Sequence, residues 1–179
     1  VPAIEPEALA QALVARNNTP PAQAGITARI AEGNYREALH LLQHSDQDFY
    51  QLLRDWLNAT LKNQPLAYAK PIEEISRMGR ENQKQFLRYF THLLEGAVRL
   101  RALAAAGREE EVLSLFSESE REFVPRLNRV CTLEQLEAIG DELDKAAYYI
   151  ERNAHSKILF HALTIKIFQI VKNNRVLTA

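Results

Sequence analysis

The chain of 179 residues holds one cysteine, one methionine and one tryptophan, and its six glycines stand apart from one another. A single thiol, Cys131, excludes an internal disulfide and any zinc site made of several cysteines; it fits a reducing cytoplasm, which is the expected compartment. Isolated glycines exclude a Walker or dinucleotide-binding loop, so the chain alone is not expected to bind a nucleotide or any other cofactor. Excess charge of one sign is also lacking. With 22 basic and 23 acidic residues the net charge is −1, which leaves no general pull toward nucleic acid or anionic membrane. Any such binding must come from a local patch. Long hydrophobic runs are missing too: even in the most apolar stretch, 153–173, no unbroken apolar run exceeds three residues, so a membrane span is not expected. The opening VPAIEPEALA lacks the basic and apolar segments of a signal peptide, and it lacks an initiator Met. The expectation is a chain whose N-terminal part has been removed.

Strand signals are nearly absent, and what remains is helical pattern punctuated by Gly, Pro and Asn, which predicts an all-α fold. Three short helices are expected in residues 1–44. The first carries Leu9, Leu13 and Val14. A second opens at Thr19 and Pro20, runs through Ile26 and Ile30, and ends at Gly33. A third restarts at Asn34, with Glu37 three residues on, and turns Ala38, Leu41 and Leu42 inward. From Ser45 the helices lengthen and aromatic residues increase, so a domain boundary is placed there, with a larger helical bundle over 45–179.

In that bundle Phe49, Leu52, Leu53, Trp56 and Leu57 follow amphipathic spacing. Pro65 and Pro71 are expected to break the next segment into pieces. The longest helix is predicted over about Asn82 to Ala106, closed by Gly107. Residues 108–126, acid-rich with anchors Val112, Leu115, Phe116 and Phe123, predict one or two short peripheral helices. Thr132 with Gln135 forms a capping box for a helix with Leu136, Ile139, Leu143, Ala147 and Ile150 on its core side. Of the adjacent Tyr148 and Tyr149, one is expected to pack and the other to show its hydroxyl.

The last stretch, from Asn153 to Asn173, is apolar on more than one side. At ~100° per residue, Leu159, Phe160, Leu163, Ile167, Ile170 and Val171 share one arc, while Ile158, Ala162 and Ile165 form a second patch. The helix is therefore expected either to be ordinary core or to be shared with a neighbouring subunit. It begins at Asn153, as a new helix capped by that residue or as a continuation.

Motifs for chemistry are weak. His40 and His44 have the i, i+4 spacing of helical metal ligands but no third ligand, so no metal site is expected. His92, His155 and His161 belong to no metal or catalytic pattern. Glu73, Glu74 and Glu109 to Glu111 read as solvated surface, and no serine or cysteine stands in a nucleophile motif. An enzymatic activity is not expected. Arg77, Arg80, Lys84 and Arg88, spaced 3, 4 and 4, would form one positive edge able to meet phosphates or an acidic partner.

Two segments carry a resemblance. Ala28 to Gln43, ARIAEGNYREALHLLQ, resembles the end of the lid domain of clamp-loader ATPases of the AAA+ class. Tyr149 to Ile167, with its Asn-Ala-x-x-Lys-Ile-Leu-Phe core at 153–160, resembles the C-terminal collar helix of bacterial clamp-loader subunits, above all the delta-prime type of DNA polymerase III. This implies a lid at 1–44 and an oligomerisation collar at 45–179, with the nucleotide-binding domain cut away. Its partners would be tau/gamma-like and delta-like subunits, with DNA and the sliding clamp met only through the whole complex. Asn153, Lys157, Ile158, Leu159, Ala162 and Ile165 would then lie at the collar interface. Arg36 matches the lid arginine that senses nucleotide in ATP-binding members; delta-prime subunits commonly do not hydrolyse ATP, which leaves packing or a surface ion pair as its other role. The rival reading is a free-standing helical adaptor binding an acidic partner or DNA through the Arg77 to Arg88 edge.

Overall fold

The structure, a computed structural model, describes residues 4–17, 21–43 and 49–173. Among these there are ten α-helices and no strand: α1 (Pro6–Asn17), α2 (Pro21–Ile30), α3 (Tyr35–Gln43), α4 (Phe49–Leu61), α5 (Pro65–Arg77), α6 (Arg80–Ala104), α7 (Glu109–Leu113), α8 (Glu118–Val130), α9 (Leu133–Glu151) and α10 (Ser156–Asn173). The chain is all-α, as its punctuation predicts. The Thr19 and Pro20 start signal lies outside the described residues, as do the side chains of Leu41 and Leu42.

Two apolar clusters form. Leu9, Leu13, Ala24, Ala28, Ala31 and Ala38 pack together across α1 to α3, and the remaining helices share one larger cluster to which α2 lends Ile30. Across the join the Arg88 guanidinium meets the Glu37 carboxylate at 2.6 Å, and Arg29 donates to the Leu115 carbonyl. Helix α6 runs through the larger unit, packing against α8 and α9 and, more lightly, against α4. At the centre Trp56 faces Phe86, Phe90 and Phe160 with ring centroids 5.9, 6.1 and 6.0 Å away. Such tilted and edge-on pairs add roughly 0.5–1.5 kcal/mol each beyond the area they bury.

Three expectations about element ends are corrected. Pro71 does not break its segment: α5 is a single helix with Pro65 at its start and Pro71 inside it. A proline in mid-helix forfeits one backbone hydrogen bond, and here its ring is buried beside Ile72 and Ile75, so packing offsets the loss. The acid-rich region is not peripheral throughout. Helix α7 is short, but α8 runs on to Val130 through Pro125 and places Phe123, Val124 and Leu127 in the large core. Its Glu120 is also buried, accepting from the Tyr89 hydroxyl at 2.7 Å and from the Ser117 backbone N–H at 2.9 Å in a capping box.

Asn153 does not open the last helix; it closes α9. Its φ is 64°, its N–H bonds to the Ile150 carbonyl at 3.1 Å, and the Ala154 N–H reaches back to Tyr149 at 3.0 Å. This is the Schellman pairing of a helix C-terminus, and asparagine tolerates the left-handed backbone it requires. Helix α10 starts afresh at Ser156, with the His155 carbonyl accepting its first bond, from Leu159.

Candidate functional site

Helices α9 and α10 form an antiparallel hairpin whose ends are tied by side chains. At its open end the Gln135 amide donates to the carbonyls of Ile170 at 2.8 Å and Val171 at 3.2 Å, tying the first turn of α9 to the last described turn of α10. The Thr132–Gln135 capping box that orients this glutamine is present as predicted. At the closed end the Ser156 hydroxyl donates to Gln83 Oε1 at 3.0 Å, while the amide of Gln83 reaches the Ile75 carbonyl at 3.1 Å. In the middle, Trp56 Nε1 donates to Thr164 Oγ1 at 2.8 Å, and that hydroxyl donates to the Phe160 carbonyl at 2.7 Å. Lys166 bonds to Glu142 of α9. Burial opposes ionisation of that carboxyl, but Lys145 and Lys166 outweigh it and hold it below the usual carboxylate range.

Helix α10 is thus fixed on one side, and the sequence pattern of two apolar faces can be read directly. Phe160, Leu163, Ile167 and Ile170 are buried. Ile158 is 68 % exposed and Ile165 52 % exposed, with Ala162 exposed between them. Leu159, grouped with this outward set by the resemblance, sits half-buried against the main core. Asn153 is exposed and accepts from Arg80, and Lys157 is exposed. Tyr148 and Tyr149 do not divide into one packed and one shown: both are 50 % exposed, their rings 5.8 Å apart edge to face, and the Arg152 guanidinium lies 3.6 Å over Tyr148.

The basic residues fall in line along α5 and α6, but their charges are largely taken. Arg77 holds Glu73 at 2.6 Å, Lys84 holds Glu81 at 3.0 Å and Glu151 at 3.9 Å, and Arg88 holds Glu37. With Arg80 on Asn153, the edge is a seam linking α6 to α3 and to the α9–α10 turn. Arg36 lies exposed in the first turn of α3, where Asn34 caps the helix by accepting from the Arg36 N–H at 3.1 Å and the Glu37 N–H at 3.3 Å.

Among the described residues the histidines stand apart from one another. Among the described residues no group of three or more His, Cys, Asp or Glu side chains could hold a metal ion; His44 and the side chain of His40 lie outside them. His155 is exposed, and His161 stands edge-on to Tyr68 at 6.2 Å. His92 is half-buried against Phe116, its Nε2 buried with no hydrogen-bond partner, and desolvation pushes its pKa down against the pull of Glu120, with Arg29 and Arg99 adding to the lowering. Glu73, Glu74 and Glu109 to Glu111 are exposed, as their pattern implied. Burial pushes the Cys131 thiol up to about 11, only partly countered by Arg101, so it is not an activated nucleophile. Among the described residues no helix is long and apolar enough to cross a membrane.

One feature carries no motif in the sequence. Behind α10, opposite the outward face, a cavity of about 240 Å³ opens between helices α4, α6, α8, α9 and α10. Leu57, Phe90, Leu127 and Ile139 are among its walls, with Arg54, Arg126 and Arg129 also lining it. It gathers residues from five helices, so no local spacing announces it. In comparisons with protein-family models, curated proteins and solved structures, nothing matches this chain.

Proposed function

We propose that the chain is a non-catalytic assembly module of a bacterial, cytoplasmic DNA polymerase III clamp loader, of the delta-prime type. In this reading residues 1–44 are the lid and residues 45–179 the collar. The observation that supports it is the outward face of α10. Ile158, Ala162 and Ile165 form an apolar stripe on a helix whose opposite side already fills the core, and the helix is held rigidly by Thr164, Gln135 and Ser156. A pre-ordered apolar stripe lowers the ordering cost of association, and subunit interfaces are most apolar at their centres. Fully burying one isoleucine contributes roughly 1.5–3 kcal/mol, so two such residues can decide whether a collar contact forms. Arg36, exposed at the start of α3, is left to reach nucleotide in an adjoining domain or to pack against it.

The test is reconstitution with tau/gamma-like and delta-like subunits, read by size-exclusion chromatography. The chain carrying Ile158→Glu and Ile165→Glu should keep its helical circular dichroism and drop out of the complex. Ile167→Glu, on the core side, should unfold the chain instead. Assembly of the doubly substituted chain at wild-type strength would remove the physical basis of the proposal.

A further inference from the structure

We infer that the groove behind α10 is a docking site for an acidic peptide segment bearing one or two large apolar side chains. Ile167, which lines it, is nine residues from Ile158 and so lies on the opposite side of α10 at ~100° per residue. The groove is therefore separate from the face assigned to subunit assembly. At about 240 Å³ it is smaller than the roughly 300–1,000 Å³ of cofactor and drug-sized sites. That volume suits side-chain anchors rather than an enclosed small molecule. Val130, one of its lining residues, is 47 % exposed, so apolar surface continues out of the mouth, as a segment lying across it would require.

The charge is one-sided. Every charged residue lining the groove is an arginine: Arg54, Arg126 and Arg129. Arg54 and Arg126 touch Asp55 at 3.8 Å and Glu122 at 3.2 Å, both pairs well exposed. Exposed pairs of this kind are worth ~0–1 kcal/mol, so an incoming carboxylate displaces them at little cost. Arg129 is exposed and has no ion pair among the described residues. Guanidinium groups bind carboxylates in two-pronged fashion, and three of them around an apolar slot select acidic flanks beside an apolar anchor.

The experiment uses the full chain and a fluorescein-labelled peptide Asp-Glu-Leu-Phe-Glu-Asp, with Lys-Lys-Leu-Phe-Lys-Lys as its charge-reversed control, read by fluorescence anisotropy. The acidic peptide should bind, the basic one should not, and affinity should fall as salt rises. Arg129→Glu should weaken binding about tenfold. Asn58→Trp, an exposed substitution on the groove wall, should abolish it while the thermal melt stays unchanged. Failure of the acidic peptide to bind, equal binding of the basic one, or indifference to both substitutions would overturn the assignment. So would saturation of the groove by decanoate with no peptide binding, which would make it a site for small amphiphiles. Self-association that disappears in Asn58→Trp without peptide binding would give it to a second copy and likewise overturn it.

Discussion

Thr164 is the most informative single residue to change, because the only tryptophan of the chain depends on it. Trp56 is fully buried, and its indole N–H is satisfied by the Thr164 hydroxyl at 2.8 Å. Thr164→Val keeps the branched shape but leaves that N–H in an apolar interior, where an unmet donor costs about 1–3 kcal/mol. Taking about 2 kcal/mol and a urea dependence of about 2 kcal/mol per molar, the unfolding midpoint should fall by about 1 M with unchanged slope. Circular dichroism rather than fluorescence must be the probe, since the decisive control is Trp56→Phe. Phenylalanine has no N–H to strand, so in that background Thr164→Val should cost almost nothing, and the difference between the two backgrounds is the coupling. A Thr164→Val chain as stable as the parent, or an equal penalty in both backgrounds, would refute the claim that this bond pins α10 to α4.

Gly96 lies where a Cβ would stand 2.2 Å from Phe116 Cζ. Gly96→Ala should therefore destabilise by about 1–3 kcal/mol in urea unfolding. In a Phe116→Ala background the same change should become stabilising by up to about 1 kcal/mol through helix propensity. Asn153→Ala places a Cβ-bearing residue without a polar side chain at φ 64° and should cost about 1 kcal/mol in thermal melts, whereas Asn153→Gly should cost little. Desolvation lowers the folded pKa of His92 below the ordinary 6.5. Between those two values the unfolded chain binds more protons, and stability must rise with pH there and be lost as pH falls through the window. His92→Gln should flatten that slope in unfolding midpoints taken across the window.

Most helices could be read from the sequence because each rests on a local rule. The Thr132–Gln135 box, the Phe49 to Leu57 spacing and the terminator Gly107, whose φ is 66°, are properties of a few neighbouring residues. Two of the misreadings involve a partner far along the chain. Pro71 reads as a breaker until its ring is placed in the core, and α8 looks acidic and peripheral until Phe123, Val124 and Leu127 are seen against α6. Asparagine is favoured both at the start of a helix and just past its end; the left-handed backbone and the bonds from Asn153 and Ala154 back to Ile150 and Tyr149 are what decide the matter. Tyr148 and Tyr149 straddle the boundary of α9 because consecutive residues differ by ~100°, and neither points at the core.

The candidate surfaces divide by the same logic. The two-faced character of α10 was legible because periodicity within one helix fixes which residues share a side, and only the choice of inner face waited on the fold. A charge pattern has no such property. Arg77, Arg80, Lys84 and Arg88 align on paper, yet whether they are free depends on Glu37 and Glu151, which lie 51 and 67 positions from the residues they meet. Once those carboxylates arrive, the edge serves to join α3 and the α9–α10 turn to α6. Along the Arg77 to Arg88 edge, what is left for a partner is therefore little: three of its four cations meet carboxylates of the chain itself and Arg80 meets Asn153, while Ile158 and Ile165 stay in water on the α9–α10 hairpin. Such a distribution favours association through a greasy helix face over attraction to a polyanion.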